Sequence, residues 1–270
     1  MNPILAVVGG GNMAQAILHA ALKANVLAPD QILLAEPDAE KRDLFESWGV
    51  KTVPSAASFA DGFADSTQIL LAVKPQYLAD AACDLAGAAD GRVVISILAG
   101  STSERVAQAV GDRARIVRVM PNLPARIGMG ITAIATDSGA NDVDVELALK
   151  LFASVGEIVR IDESFMDAFT AIAGSGPAYL FYLAQTMAEA GVDMGFDEAI
   201  SDQLVRATLV GAATLLKQSS DGAQSLRAAV TSKKGTTDAA IRTLDAAGVD
   251  DAIRRAIFAA RDRGAELAAM

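Results

Sequence analysis

Apolar and polar residues follow one rhythm in the first half of the chain and another in the second. Ile4-Leu5-Ala6-Val7-Val8 is a short apolar run ending in glycines, and Ala14, Ile17, Leu18, Ala21 and Leu22 then recur at helical spacing. Gln31 to Ala35 predicts a second strand, Lys41 to Trp48 a helix, and Ile69 to Val73 a third strand stopped by Pro75. Arg92 to Ile97 and Arg115 to Val119 predict two more, with a helix between them that Ser103 can start. Ile131 to Ala135 and Glu157 to Ile161 extend the series. Strands alternating with helical stretches predict an α/β domain with a parallel, helix-covered sheet. After Ile161 the strand-like runs stop. Alanine- and leucine-rich stretches at 164–191, 197–218, 237–246 and 249–268 replace them, divided by turn signals at Gly191, Asp221-Gly222 and Gly248. Residues 1–162 are therefore expected to form the α/β domain and residues 163–270 an all-helical one.

Hydropathy sharpens one segment. No residue from Ala168 to Ala188 is charged, a run long enough to span a bilayer. Gly174-Ser175-Gly176-Pro177 breaks it, Gln185 and Thr186 dilute it, and its flanks carry Asp167 and Glu189 rather than Lys or Arg. A helix this apolar is expected to be buried on most faces, within a core or between subunits. Met1-Asn2-Pro3 leads straight into the first strand with no basic segment ahead of it, so no secretory signal, no membrane partner and a cytoplasmic location are expected.

Composition then removes chemistries. The 270 residues include one His and one Cys, and 23 Lys plus Arg against 33 Asp plus Glu give a net charge of −10. One Cys makes no intramolecular disulfide, and with His19 it makes no His/Cys zinc site, so no metal is expected. A Ser–His–Asp triad would rest on His19 alone. An acidic chain lacks the basic footprint of a nucleic-acid binder. His19 is expected on the outer face of its helix, Trp48 and Cys83 as packing residues, and Met120 and Met129 as core or crevice liners.

Gly9-Gly10-Gly11-Asn12-Met13-Ala14 fits G-x-G-x-x-A between a predicted strand and a predicted helix. Gly9 permits the tight turn, Gly11 lets backbone N–H groups approach a pyrophosphate, and Ala14 lets the helix pack on the strand. Free N–H groups and the helix dipole favour the anion. This predicts a Rossmann-like, doubly wound sheet binding a dinucleotide. Glu36 ends the second strand, where a carboxylate takes a ribose 2′-OH and favours NAD over NADP; a solvated loop acid beside Pro37 and Asp38 is the plain alternative. Lys41 and Arg42, a turn further on, could hold a 2′-phosphate instead.

Ligands of an open α/β sheet bind beyond the carboxyl ends of its strands. Ala72-Val73-Lys74-Pro75, Ile97-Leu98-Ala99-Gly100 and Val119-Met120-Pro121-Asn122 all fall there. In the second domain, Val230-Thr231-Ser232-Lys233-Lys234-Gly235-Thr236-Thr237-Asp238 places hydroxyls and a glycine before a helix. That suits N-capping, and also a carboxylate held on free N–H groups.

These segments together resemble the pyrroline-5-carboxylate reductase family over essentially the whole chain and in the same order. The resemblance is carried by GGGNMA at 9–14, AVKPQ at 72–76, VRVMPNLPARIGMG at 117–130, GSGPAY at 174–179, VGAATLL at 210–216 and VTSKKGTT at 230–237. It implies a Rossmann domain and a helical dimerisation domain that interlocks with its twofold mate, with dimers assembling further into decamers. It implies hydride transfer from NADPH or NADH to the C=N carbon of a cyclic imine carboxylate, giving L-proline. Gly9, Gly11, Asn12, Met13 and Ala14 would cradle the pyrophosphate. Ala72, Val73, Lys74 and Pro75, with Leu98 and Ala99, would line the nicotinamide half, and Glu36 and Pro37 the ribose. Ser232, Gly235, Thr236 and Thr237 would hold the substrate carboxylate, in a loop that can come from the partner subunit, and Thr237 would reach the ring nitrogen as the catalytic residue.

Two departures stand out. Lys234 occupies the first of two positions that are glycine in many members, and its Cβ restricts the backbone if that position needs positive φ; its charge could help attract the carboxylate. Glu36 stands where relatives often carry a small polar residue or Asn-Arg, so the choice between NADH and NADPH stays open. Two other classes fit parts of the pattern. A β-hydroxyacid dehydrogenase would want a lysine base on the first long helix of the second domain, and residues 164–188 contain none. A non-catalytic NAD(P)-binding scaffold would keep 9–14 with no reason to keep 232–237.

Overall fold

The computed structural model describes residues 3–59, 64–85, 87–136 and 139–269. Met1 and Asn2, part of the stretch read for a secretory signal, lie outside them. Contacts divide the chain into two compact units, 1–175 with 260–270, and 176–259.

In the first unit, strands β1 (Leu5–Val8), β2 (Ile32–Ala35), β3 (Lys51–Val53), β4 (Gln68–Leu71), β5 (Val93–Ser96), β6 (Arg115–Met120), β7 (Gly130–Thr136) and β8 (Gly156–Arg160) form one sheet in the order β3-β2-β1-β4-β5-β6-β7-β8. The chain winds outward from β1 to β3, then crosses back to β4 on β1's other side. That reversal opens a crevice beyond the carboxyl ends of β1 and β4. Val8 pairs with Ala35 and with Leu71, so the residues that follow, Gly9, Glu36 and Ala72, emerge at one edge.

The strands read as continuous apolar runs because helices cover both faces. Leu5, Val7, Leu34, Leu70 and Ile95 point to one side, with helices α1 (Asn12–Lys23) and α5 (Asp142–Ala153). Ala6, Val8, Ala35, Ile69, Leu71 and Val94 point to the other, with α3 (Leu78–Leu85) and α4 (Ser103–Val110). Helix α2 (Ala39–Ser47) contributes Phe45 to the first core and is capped by Asp38, whose carboxylate accepts the Glu40 N–H.

Four expectations change here. The sheet is not wholly parallel: β6 and β7 are antiparallel. The link between them, Pro121 to Met129, is too short for a crossover, which takes a dozen residues or more. The short strand β3 lacks an apolar run and was not foreseen. Cys83 does not pack: it is exposed, because Leu78, Ala81 and Leu85 form the buried face of α3 and Cys83 falls opposite. His19 is exposed as expected, its ring 5.0 Å from that of the half-buried Trp48. Met120 packs beside Ala133 and Met166, whereas Met129 is exposed.

The apolar stretch from 164 is broken at the expected Gly174-Ser175-Gly176-Pro177. Helix α6 (Met166–Phe169) runs into a π-helical turn, Thr170–Gly174, and α7 (Gly176–Asp193) starts afresh. In the second unit α8 (Glu198–Gln218) packs on α7, with the Ser201 hydroxyl donating to the Ala188 carbonyl at 2.7 Å. Helices α9 (Ala223–Ala229), α10 (Thr236–Ala246) and α11 (Val249–Ala269) follow; α9 was not foreseen. Helix α7 is not buried within the chain: Leu180, Phe181 and Tyr182 are all more than half exposed. Of the two expected ways to bury it, burial between subunits is the one left open. Among the described residues no helix is long and apolar enough to cross a membrane.

Candidate functional site

The three glycines after β1 serve three different purposes. Gly9 has φ +100°, and a Cβ there would lie 2.8 Å from the Ala72 carbonyl oxygen, so backbone conformation and close approach both require glycine. Gly10 is packed: a Cβ would lie 2.8 Å from the Phe45 ring. Gly11, the N-cap of α1, has an ordinary φ of −69° and nothing within 4 Å of a Cβ position. Neither strain nor packing demands glycine at Gly11, and the space beside it is open. No side chain caps α1, and the N–H groups of Asn12, Met13 and Ala14 belong to its first turn, where a helix supplies no carbonyl partner. Ala14 itself is fully buried against the sheet. Open space beside unspent N–H donors at the positive end of a helix fits a phosphate.

A cleft of about 630 Å³ opens beside this turn. Of the expected residues, Gly9, Gly11, Glu36, Pro37, Ala72, Val73 and Lys74 border it. Asn12, Met13, Ala14, Pro75, Leu98 and Ala99 do not. The Leu98 side chain is part of the core against α3 and α4, while Ala99 is exposed. Sequence reasoning missed Pro54, Ser55, Tyr77, Asp80 and Asp84, which complete the walls, with Lys41 at the rim. The first two follow β3, the strand that was not foreseen. Ser55 donates to Asp84 at 2.8 Å and ties that loop to α3.

Glu36 is neither a solvated loop acid nor a free arm. It is 6% exposed; one carboxylate oxygen accepts the Gly10 N–H at 2.7 Å and the other the Asp38 N–H at 3.1 Å. It thus braces the glycine turn from the next strand. Arg42 donates to the Glu36 and Pro37 carbonyls, both at 2.8 Å.

Beyond β6, Asn122 was expected to face the crevice. It is instead 8% exposed, its side chain accepting from the Ile131 N–H and donating to the Ala173 carbonyl. Arg118, 5% exposed on β6, pairs with Glu163 at 2.9 Å, and the same Glu163 oxygen accepts the Ser103 N–H that starts α4. Among the described residues no group of three or more His, Cys, Asp or Glu side chains is placed to hold a metal.

In the second unit, the segment 230–238 turns between α9 and α10. The Gly235 N–H donates to the Ser232 carbonyl at 2.9 Å, and a Cβ on Gly235 would meet the Ser232 hydroxyl. Lys234 has φ +62°, the left-handed conformation that its replacement of glycine called into question. Its N–H donates to Asp238, which also pairs with Arg242 at 3.2 Å. The capping expected of the hydroxyls does not occur. Gly235 is the N-cap, without a side-chain bond. Among the described residues the hydroxyls of Ser232, Thr236 and Thr237, and the first-turn N–H groups of Thr236 and Thr237, make no hydrogen bond. A concentrated set of donors is left unspent, as an anion site requires.

Residues 163–267 match the model for pyrroline-5-carboxylate reductase dimerisation, and residues 4–100 match that for NADP oxidoreductase, coenzyme F420-dependent. A pyrroline-5-carboxylate reductase of Synechocystis is 38% identical over 99% of both chains. The chain belongs to the pyrroline-5-carboxylate reductase family. Solved members share its backbone. The pyrroline-5-carboxylate reductase of Coxiella burnetii, 30% identical, superimposes with a TM-score of 0.87 over 99% of both chains. A pyrroline carboxylate reductase of Plasmodium falciparum, solved with NADP bound, is 26% identical and gives 0.85 over 99% of this chain and 98% of that one. The family's dimerisation domain explains why α7 leaves large apolar side chains uncovered in a single chain: the protein is a homo-oligomer.

Proposed function

We propose that the chain reduces 1-pyrroline-5-carboxylate to L-proline, the last step of proline biosynthesis, using NADPH or NADH. Likeness to pyrroline-5-carboxylate reductases from end to end carries this reading, because it takes in both the glycine turn and the unspent donors at 232–237. When bound, the dihydronicotinamide supplies the hydride that reduces the C=N carbon. The α1 amides of Asn12, Met13 and Ala14, with Gly9 and Gly11, hold the pyrophosphate. Ala72, Val73 and Lys74, which border the cleft, would line the nicotinamide half, and Glu36 and Pro37 would stand at the ribose; Pro75, Leu98 and Ala99 are assigned to the nicotinamide half by likeness to the family alone. Ser232, Gly235, Thr236 and Thr237 hold the substrate carboxylate, and the Thr237 hydroxyl meets the ring nitrogen. A protonated cyclic imine is already electrophilic, so the protein's work is alignment and exclusion of water.

The working division follows residues 1–162 for the cofactor and 163–270 for dimerisation and substrate. The helical domains of two copies interlock, each loop at 232–237 completes the partner's site, and dimers assemble into decamers. The exposed apolar side chains of α7 support the interlocking. The reaction belongs to the cytoplasm, in keeping with the single cysteine, and, in keeping with the acidic composition, involves neither nucleic acid nor membrane. Adding the cyclic imine to protein and NAD(P)H should remove dihydronicotinamide absorbance with formation of proline. No loss with either nucleotide would overturn the proposal.

A further inference from the structure

The end of β2 carries an inference about which nucleotide the cleft accepts. Both oxygens of Glu36 receive backbone N–H groups, which fixes the carboxylate at the cleft wall. A carboxylate offers about four acceptor sites, so capacity remains for a ribose hydroxyl. Asp38 stands beside it on the same wall, its own carboxylate held by capping α2.

The two cations that could neutralise a 2′-phosphate are already engaged. The Lys41 ammonium lies 3.7 Å from Glu36 and 3.5 Å from Asp38, a single positive charge shared by two negative ones. Arg42 points one guanidinium nitrogen, Nη1, at both the Glu36 and Pro37 carbonyls and does not border the cleft. Farther round, Asp80 and Asp84 add two carboxylates against Lys74. The charged side chains of the wall are therefore four acids against two bases. A phosphate monoester of charge about −1.5 to −2 entering there meets like charge. A ribose 2′-OH meets an acceptor.

We propose that this chain selects NADH over NADPH, with Glu36 and Asp38 as the residues that reject the 2′-phosphate. Glu36 has a second task as a positioning residue, since it braces Gly10. The inference rests on the reading of the cleft as a dinucleotide site, and binding measured without imine separates the two.

Purified full-length protein is titrated with NADH and with NADPH, following dihydronicotinamide fluorescence. The wild type should bind NADH at least tenfold more tightly. Asp38→Asn keeps a capping side chain while removing one charge, and should narrow the ratio several-fold, chiefly by tightening NADPH. Glu36→Gln should narrow it as well, while also weakening NADH because Gln cannot accept both N–H groups in the same way. Raising the salt concentration should narrow the wild-type ratio through screening. Equal or tighter binding of NADPH by the wild type would overturn the inference, as would an unchanged ratio in both variants. If neither nucleotide binds, the dinucleotide reading falls with it; if both bind but the imine is not reduced, only the reductase reading falls.

Discussion

The Asn122 side chain donates to the Ala173 carbonyl across 3.1 Å, joining the end of β6 to the π-helical turn. A π-turn departs from the i→i−4 bonding pattern of the helix around it, and here a side chain from the sheet takes one of its carbonyls. The same side chain accepts the Ile131 N–H at 3.0 Å, so one residue serves two elements. Asn122→Ala leaves both groups without this partner and should cost about 1–3 kcal/mol. Thermal unfolding at matched protein concentration checks this; an unchanged midpoint would show that the bridge does not stabilise the fold.

Gly9 and Gly11 should separate folding from binding. Gly9→Ala places a Cβ at φ +100° against the Ala72 carbonyl and should destabilise the fold by at least about 1–2 kcal/mol. Gly11→Ala meets no neighbour and should leave the unfolding midpoint nearly unchanged. Its methyl group enters the space assigned to the pyrophosphate, so affinity for NAD(P)H should fall at least tenfold. A Gly11→Ala protein that binds normally would place the anion elsewhere.

Lys234→Gly should relax a left-handed backbone, a gain of about 1–2 kcal/mol that glycine's greater unfolded-state entropy offsets by about 0.5–1 kcal/mol. Stability should therefore change little. The lost charge should raise KM for the imine carboxylate at low salt, and the gap from wild type should shrink at high salt. A KM that does not move would leave Lys234 without a role in attracting substrate.

Thr237→Ala should lower kcat at least tenfold with little effect on the Kd for NAD(P)H, and Thr237→Ser should recover most of the loss. Steady-state kinetics beside nucleotide titrations tests both. Unchanged turnover in the alanine variant would remove Thr237 from the mechanism.

The strands buried on both faces were legible because such strands are apolar at every position, and Leu5 to Val8 needs no partner to be recognised. Lys51–Val53 was not, since an edge strand of three residues buries little and owes its pairing to Leu33 and Ala35 of β2. Chemistry followed the same division. The glycine spacing announced the turn and the strand end placed Glu36 at the cleft, but sequence could not show that Glu36 also braces the Gly10 N–H, nor that Asn122, assigned to the crevice, spends its amide on the Ala173 carbonyl. Lys234 shows the converse. Its departure from glycine flagged a left-handed position, because the constraint there is local to one residue.

Leu180, Phe181 and Tyr182 sit on the outside of one polypeptide yet are expected to obey the rules of an interior. In a twofold interface each patch meets a copy of itself or of a neighbouring patch, so every substitution is made twice. A charge introduced at Phe181 would be penalised on both sides at once. A compensating change nearby would likewise be present in both copies without a second mutation. Helix α7 should therefore vary in correlated steps among relatives.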